Sequence, residues 1–525
     1  MLEIPKKLCS PLRALLVLAL VSFAACQTDS ALGDVATDVP GTQDAIEHYG
    51  SSLYGNRNFL WSGNPVMIPV CWENPSTGNI FAPTFTIPES TSREWARNAI
   101  EGQWARYGRV TFTQWDTCSA GEAGVHIQIL TNGTSSAPGG STLNGVSNGV
   151  KLNLYYGDRP GDCQASQANL QRCVQAVALH EFGHVLGFYH EEERPDYPAG
   201  GTGACAQQSF PNANPQYYGA YDIDSVMSYC GQPAGNIATW KTQISPGDIA
   251  AVQKAYGRRK GGQFVAARGA DMLADNNTPD NRSFIWDADE AAGQLWSYDF
   301  ASQAFKVTAS GTTACLDTYP GAASGRTLTT SACIGDAFQK FPLNDLYVRG
   351  WGGLCLDVPG GNSANGTALQ MWQCGALGGA NQKFRVDTSR RIVYGASNKC
   401  VTWTTTQGAS LFLWDCGGAP YAGQQAFAFG ADGSLSFGGT CCVDVQAWTT
   451  AQYLAGQGLP GNGARVQTFQ CIGHQLNQKW NLSGAFRHQS GFCVDVAGAG
   501  NGNGTLVQTY ACNGGVAQEW DYYWK

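Results

Sequence analysis

The feature that most constrains the fold of this chain is a repeated triplet in its C-terminal half, in which one residue separates a glutamine from an aromatic residue. Six copies occur 40 to 53 residues apart: Gln294-Leu-Trp296, Gln339-Lys-Phe341, Gln382-Lys-Phe384, Gln425-Ala-Phe427, Gln478-Lys-Trp480 and Gln518-Glu-Trp520. A unit of about 40 residues with one large buried ring cannot enclose a core alone, whereas three units around a pseudo-threefold axis can. The repeat therefore predicts two all-β domains of three units each.

Cysteine couples precede five of the six triplets and indicate a local disulfide in each of those units. The couples are Cys315 with Cys333, Cys355 with Cys374, Cys400 with Cys416, Cys442 with Cys471, and Cys493 with Cys512. Propeller blades of similar length are the alternative, but six blades would lack these local couples. We expect the triplet aromatics to be core residues, because trefoil packing requires them.

The units resemble the ricin-type lectin repeat across residues 263–525. The resemblance implies two β-trefoils, which we place at 263–387 and 388–525. It also implies binding of glycans or glycoproteins. Sugar binding needs a carboxylate and an amide to hold hydroxyl groups, and an aromatic face for the apolar side of the ring.

The third unit has the full set of sugar-binding residues that the lectin pattern implies, namely Asp357, Gln370, Trp372, Asn381 and Gln382. The fifth unit keeps Asp444, Gln467, Phe469, Asn477 and Gln478, and the sixth keeps Asp495, Gln508 and Tyr510 but has Ala517 in place of the asparagine. The first, second and fourth units lack part of the set and are expected to serve as scaffold. Trp372 taken alone is equally suited to a core position.

The N-terminal half contains the motif His180-Glu-Phe-Gly-His184-Val-Leu-Gly187-Phe-Tyr-His190-Glu191. His180 and His184 lie one helical turn apart and can bind the same ion. Gly187 can adopt positive φ and end the helix, so that His190 becomes the third ligand. Three imidazoles leave a place on zinc for water, whose pKa falls towards about 7, and Glu181 would accept its proton. The motif predicts one catalytic Zn²⁺ and hydrolysis of peptide bonds without a covalent intermediate.

The other four histidines, at positions 48, 126, 474 and 488, stand alone and are assigned to no metal. A second motif, Ser225-Val-Met227-Ser-Tyr229, follows some 35 residues after the zinc motif. Together with the extension of the zinc motif through Arg194-Pro-Asp196, it makes residues 57–257 resemble the astacin branch of the metzincin zinc endopeptidases.

This resemblance implies an α+β metzincin-like domain and a role for three further residues. Tyr229 would be a switchable zinc ligand that stabilises the developing oxyanion, Met227 the hydrophobic base under the ligands, and Glu191 an anchor for the mature amino terminus. Tyr197-Pro198 replaces an expected charged pair, and no Phe-x-Gly-Asp propeptide switch occurs upstream, so activation is left open. A related metzincin family with the same zinc motif is the nearest alternative.

Local patterns predict the frame of this domain. A helix is expected from about Ser166 to Leu186, strands at 125–130 and 150–156, and a closing helix from Ser245 to Tyr256. Proximity suggests the disulfides Cys71–Cys118, Cys163–Cys173 and Cys205–Cys230. Residues 258–262 are expected to form a basic, glycine-containing linker that could also be a processing site.

The amino terminus has the features of an export signal. Lys6, Lys7 and Arg13 precede an apolar run from 14 to 25, so we interpret residues 1–25 as a signal peptide and 26–56 as a tether or short propeptide. Phe23-Ala-Ala-Cys26 resembles a bacterial lipoprotein cleavage box, which would place a lipid anchor on Cys26 in a membrane; plain secretion is the alternative.

The charge pattern excludes one class of partner. Only 14% of residues are charged, the net charge is -8, and the Lys and Arg residues form no long block, so nucleic acid is not expected to bind. The sequence predicts an exported zinc endopeptidase, secreted or lipid-anchored at the bacterial cell surface, which acts on proteins or peptides and is held on glycans by two lectin domains. A glycan-binding surface adhesin with an inactive or secondary protease domain is the alternative.

Overall fold

The computed structural model describes residues 54–55, 57–194, 197, 205–208, 216–217, 221–230, 232, 236–274, 281–375, 379–395, 397–446, 462–473 and 475–525. The predicted signal peptide, the lipid anchor at Cys26 and nearly all of the predicted tether lie outside these residues, as do positions 48, 196, 198 and 474. Within them, no helix combines the length and apolarity needed to cross a membrane.

The N-terminal domain is an α+β fold built on a four-stranded sheet. The strand order is β5-β2-β6-β7, and all neighbouring pairs run parallel. The strands of the domain are β1 Tyr54–Gly55, β2 Val66–Trp72, β3 Asn79–Phe81, β4 Thr86–Pro88, β5 Val110–Thr117, β6 Val125–Leu130, β7 Val146–Asn153 and β8 Gln216–Tyr217. The helices are α1 Glu89–Ile100, which continues as a π-helical turn over Glu101–Ala105, α2 Gln167–Val185 and α3 Pro246–Tyr256.

The ends of the two predicted helices follow from local capping. The Ser166 side chain accepts the Asn169 N–H at the start of α2. At the start of α3, Ser245 and Asp248 form a reciprocal capping box, with proline at the first helical position. Strand β7 begins and ends earlier than the predicted 150–156, because the Asn153 side chain accepts the N–H groups of Tyr155 and Tyr156 and turns the chain.

The C-terminal half consists of short antiparallel strands. They are β9 Phe264–Ala266, β10 Asp271–Ala274, β11 Ser283–Trp286, β12 Trp296–Asp299, β13 Ala304–Ala309, β14 Thr312–Asp317, β15 Arg326–Thr327, β16 Thr329–Ser331, β17 Leu343–Arg349, β18 Cys355–Asp357, β19 Gln370–Trp372, β20 Phe384–Val386, β21 Ile392–Tyr394, β22 Lys399–Thr402, β23 Phe412–Asp415, β24 Ala428–Phe429, β25 Leu435–Phe437, β26 Cys441–Val445, β27 Ala464–Gln470, β28 Asn481–Gly484, β29 Cys493–Val496, β30 Val507–Tyr510 and β31 Trp520–Tyr522. All six triplet aromatics are buried, as predicted. The five predicted disulfides of this half and the three of the N-terminal domain are all formed.

The six units form two trefoils, but these do not consist of the first three and the last three units, as the predicted boundary between 387 and 388 requires. Hairpins of the first, second and sixth units pair with one another, through the pairs Arg282–Thr329, Arg326–Thr509 and Phe284–Leu506. Hairpins of the third, fourth and fifth units pair likewise, through Ala368–Phe412, Ser410–Gln467 and Met371–Ala464. We call the first set the outer trefoil (about 263–342 and 485–525) and the second set the inserted trefoil (about 343–484).

The crossing between the two trefoils is a pair of adjacent antiparallel strands. Strand β17 carries the chain into the inserted trefoil and β28 carries it back, with Val348 opposite Leu482. The outer core then closes across the insertion, since the rings of Phe264 and Phe486 lie 4.7 Å apart and strand β9 pairs with β31. Closure of a trefoil requires three hairpins that fit together, and these need not be consecutive in the chain.

A buried charged cluster joins the N-terminal domain to both trefoils. Asp521 of the outer trefoil has no exposed surface and accepts hydrogen bonds from Arg106 of the N-terminal domain and Asn481 of β28; Arg349 of β17 lies 3.4 Å away. Burial opposes ionisation of Asp521, but the Arg106 and Arg349 guanidinium groups outweigh it and lower its pKa. The cluster packs the three domains together.

The predicted linker at 258–262 is part of this junction. Arg259 is 4% exposed and donates to the carbonyl oxygens of Ala105 and Gly269. The Arg258 guanidinium lies 4.8 Å from the centre of the Tyr523 ring. The folded protein therefore does not present these arginines as an open processing site, because their side chains are engaged between domains.

Candidate metal centre and carbohydrate sites

The structure brings His180, His184 and His190 together. Their Nε2 atoms converge, at 3.1 Å between His180 and His190 and 3.0 Å between His184 and His190. Helix α2 carries the first two imidazoles, and Gly187, with φ of 87°, reverses the chain so that His190 returns to them. Three converging imidazole nitrogens are a donor set that fits one zinc ion. No other group of this kind that is free of disulfide cysteines is formed by the described residues.

Backbone carbonyls hold the first two imidazoles in position. The Nδ1 atom of His180 lies 2.8 Å from the Val226 carbonyl oxygen, and that of His184 lies 2.8 Å from the Phe188 carbonyl oxygen. Donation from Nδ1 leaves the Nε2 lone pair directed at the metal position. Burial lowers the pKa of both histidines, and so favours the neutral form that binds metal.

Glu181 follows the first ligand on α2 and is almost fully buried. Burial raises the pKa of Glu181 to about 8, and a hydrogen bond from the Ala137 backbone opposes that shift. A carboxylate with few compensating partners beside a metal position has the character of a general base.

The turn at 225–229 lies directly under the imidazoles. Met227 is fully buried, and a Cβ atom added to Gly183 would lie 2.2 Å from its sulfur. The glycine between the two helical histidines is therefore required for the close approach of this methionine. The backbone N–H of Glu191 donates to the Met227 carbonyl oxygen, which joins the turn to the third ligand.

Tyr229 and Glu191 also lie at the centre. The Tyr229 ring is 37% exposed, and its centre lies 4.6 Å from that of His190. Burial raises the pKa of Tyr229, which keeps the phenol protonated. Glu191 is buried and accepts the Asp222 N–H with Oε2, while Oε1 has no hydrogen-bond partner within the described part of the chain.

Three supporting residues were missed by sequence reasoning. Asp248 accepts hydrogen bonds from the Ser225 hydroxyl and the Val226 N–H. The Lys241 ammonium lies within 3.2 Å of four backbone carbonyl oxygens between residues 223 and 230, and Glu192 accepts from the Ser228 hydroxyl. Of these three residues, only Asp248 is part of a recognisable sequence pattern, as the N3 residue of the α3 capping box. The capping pattern does not predict that Asp248 also binds the turn at 225–229.

The third unit forms a pocket of about 580 Å³ around Asp357. Gln370 donates to Asp357 Oδ1 at 2.8 Å, while Asn381 and Gln382 donate to Oδ2 at 2.6 and 3.1 Å. Trp372 also lines the pocket and is 42% exposed, so it is not a core residue. The five predicted residues are thus together, with one aromatic face open.

The fifth unit repeats this network. Gln467 donates to Asp444 Oδ1, and Asn477 and Gln478 donate to Oδ2, with Phe469 half-buried nearby on β27. In the sixth unit Gln508 and Gln518 bond Asp495, and Tyr510 is 40% exposed, while Ala517 contributes no amide. Burial raises the pKa of Asp444 to about 6, against the opposing hydrogen bonds of the three amides.

The second and fourth units lack part of the set. Ser331 occupies the position of the stacking ring in the second unit, and its hydroxyl donates to Asp317. In the fourth unit Thr402 replaces the aspartate and accepts from Gln425. In units two to six, the triplet glutamine donates a hydrogen bond to the side chain at the aspartate position. This shared hydrogen bond explains why glutamine recurs in the triplet as a structural residue.

Both halves are similar to known proteins. The model of the ricin-type beta-trefoil lectin domain matches residues 264–384, 344–457 and 450–525. Zinc metalloproteinase nas-3 of Caenorhabditis elegans is 29% identical over 109 residues, which are 19% of this chain and 36% of that protein. Serine protease 1 of Rarobacter faecitabidus is 30% identical over 180 residues, which are 31% of each protein. The chain spans about a third of the length of these curated relatives.

Among solved structures, that of myroilysin covers 39% of this chain and 99% of its own, at 16% identity and a TM-score of 0.28. The chain joins an N-terminal region similar to astacin-type zinc metalloproteinases to C-terminal ricin-type β-trefoil lectin domains.

Proposed function

We propose that this chain is an exported zinc-dependent endopeptidase that its lectin trefoils hold on glycans or glycoproteins. The observation that carries the proposal is the convergence of three imidazoles, with the His190 Nε2 atom 3.1 Å from that of His180 and 3.0 Å from that of His184, and with Glu181 next to His180 on the same helix.

Each residue of the metal centre would have a separate chemical role. His180, His184 and His190 would hold one zinc ion, which supplies Lewis acidity and lowers the pKa of bound water. Glu181 would accept a proton from the attacking water and then pass it to the departing amine. The Tyr229 phenol would donate a hydrogen bond to the developing oxyanion.

The sugar-binding part of the proposal rests on the carboxylate, amide and ring sets of the third and fifth units, with a weaker set in the sixth. Several weak sites on one chain increase residence on a multivalent surface by ~10² or more when geometry allows. Export is supported by the eight disulfides of the described residues, which suit an oxidising compartment. In the anchored form that the same proposal allows, a lipid on Cys26 would hold the protein at a bacterial cell surface.

Metal analysis and a peptide library test the protease. We expect one zinc per chain, loss of cleavage with a chelator, and recovery on addition of zinc. Glu181→Gln should retain zinc and lose several orders of magnitude in turnover, whereas Glu122→Gln, a change at a distant surface loop, should leave turnover unchanged. An active Glu181→Gln variant would refute the assigned base, and an inactive wild type that binds glycans would favour the adhesin.

Point variants test the lectin contribution, because deletion of residues 263–525 would also uncover the buried junction. Trp372→Ala should slow cleavage of a glycosylated protein while leaving cleavage of a short unglycosylated peptide unchanged. Trp414→Ala, at the corresponding strand of the fourth unit without the aspartate, is the matched control. Equal effects of Trp372→Ala on both substrates would contradict targeting by the lectin.

A further inference from the structure

A groove lies between the protease domain and the trefoils. Its volume is about 700 Å³, within the range of ~300–1,000 Å³ typical of ligand pockets. Helices α1 and α2 form one wall, and residues of β17 and the third unit form the other. Residues 373–375 line both this groove and the pocket of the third unit, so the two spaces adjoin.

Unused amide groups line the protease wall. The side chains of Gln171, Gln175 and Gln243 face the groove and make no hydrogen bond within the described part of the chain. On the opposite wall, Arg349 Nε is buried and has no hydrogen-bond partner among the described residues. Trp95 adds a half-buried ring. Amides beside an aromatic face suit a polyhydroxylated ligand.

The charges of the groove favour a neutral ligand. Glu94 is paired with Arg268 at 3.3 Å, and Arg106 lies 3.6 Å from Glu519. Strand β17 is paired along both of its edges, so it offers no free backbone for an extended peptide. A neutral sugar chain fits these features better than a charged or extended peptide does.

We propose that the groove binds the continuation of an oligosaccharide whose end residue occupies the Trp372 pocket. This inference rests on the proposed sugar binding of the third unit. The protease domain thereby contributes to glycan selection, since one wall of the groove belongs to α1 and α2. Of the two adjoining spaces, a monosaccharide would occupy only the Trp372 pocket, whereas a longer sugar chain would also contact the amides of α2.

None of the three histidines of the metal centre lines the groove. Gln175 precedes His180 by five residues, a rise of ~7.5 Å along the helix, and the two project ~140° apart around its axis. A captured glycan would therefore lie behind the metal centre and leave the substrate cleft open. Soluble oligosaccharide is expected to bind without inhibiting cleavage of a short peptide.

A glycan array of monosaccharides and oligosaccharides with the same end residue tests the proposal on the full chain. The wild type should bind the oligosaccharides at least tenfold more tightly than the monosaccharide. Gln171→Ala combined with Gln175→Ala should remove that gain and leave monosaccharide affinity unchanged. Gln167→Ala, an exposed position on the same helix outside the groove, should change neither affinity.

The possible results separate the two proposals. Monosaccharide binding that is weakened in Trp372→Ala, with no gain for longer chains or a gain that survives the double variant, overturns the groove and leaves the lectin function standing. Absence of all sugar binding in the wild type overturns the lectin function and the groove with it. Displacement of the bound oligosaccharide by unglycosylated peptides would assign the groove to peptide instead and overturn the inference.

Discussion

Replacement of Asp521 by asparagine should loosen the junction between the protease domain and the two trefoils. Asp521 has no exposed surface and faces two guanidinium groups, those of Arg106 and Arg349. The variant keeps the size of the side chain and removes its charge, so the buried Arg106 and the partly buried Arg349 lose a shared counter-ion.

The expected magnitude follows from that geometry. Removal of one partner of a buried ion pair costs ~3–5 kcal/mol. Glu519 lies 3.6 Å from Arg106 and can take over part of the pairing, so we expect the lower end of the range, about 3 kcal/mol. Because every ~1.4 kcal/mol is a factor of ten, the population with an open junction should rise by ~100-fold.

Limited trypsin digestion measures this opening. The side chains of Arg258 and Arg259 are held in the junction, so cleavage between residues 258 and 260 reports the open population when reclosing is fast. The experiment uses the Glu181→Gln background to prevent self-cleavage. Asp345→Asn is the matched control, because Asp345 and Arg487 form an ion pair whose side chains are 54% and 36% exposed, and such surface pairs contribute ~0–1 kcal/mol. Similar cleavage rates for Asp521→Asn and Asp345→Asn would refute the assigned role of the cluster.

Three further outcomes follow from the sites. Gly183→Ala places a Cβ atom against the Met227 sulfur and should lower the free energy of unfolding by ~1–3 kcal/mol. The variant should also lose zinc more readily than the wild type in competition with a chelator, and unchanged zinc retention would contradict the close packing. Tyr229→Phe should keep its zinc and lose ~10²–10³-fold in kcat with little change in KM, and a normal kcat would remove Tyr229 from the mechanism. Burial raises the pKa of Asp444 to about 6, and the ionised carboxylate is the form that accepts sugar hydroxyls. Sugar binding at the fifth unit, measured in the Trp372→Ala variant, should therefore be complete at pH 8 and be lost as the pH falls through 6. A flat binding profile from pH 5 to 8 would refute this prediction.

Local sequence patterns predicted much of the zinc centre. The spacing of His180 and His184 on a helix, and a glycine able to turn the chain towards His190, depend only on helical geometry and backbone sterics. The α3 cap at Ser245 also follows from a local pattern, and burial of the triplet rings follows from their recurrence in units of about 40 residues. The supports of the turn at 225–229 could not be predicted, because Lys241 and Glu192 act through contacts that only the folded chain brings together.

The sequence by itself determined the parts of this protein: six units, five of them with a disulfide, a helix that presents two imidazoles, and the residues that surround each Asp of the third, fifth and sixth units. Tertiary structure alone decided how the parts combine. Hairpin pairing across the chain placed the sixth unit with the first two, and domain packing turned the stretch around Arg259 from a linker into a buried junction. These arrangements depend on long-range pairing and burial, whose energies arise between residues that are far apart in sequence and leave no local pattern.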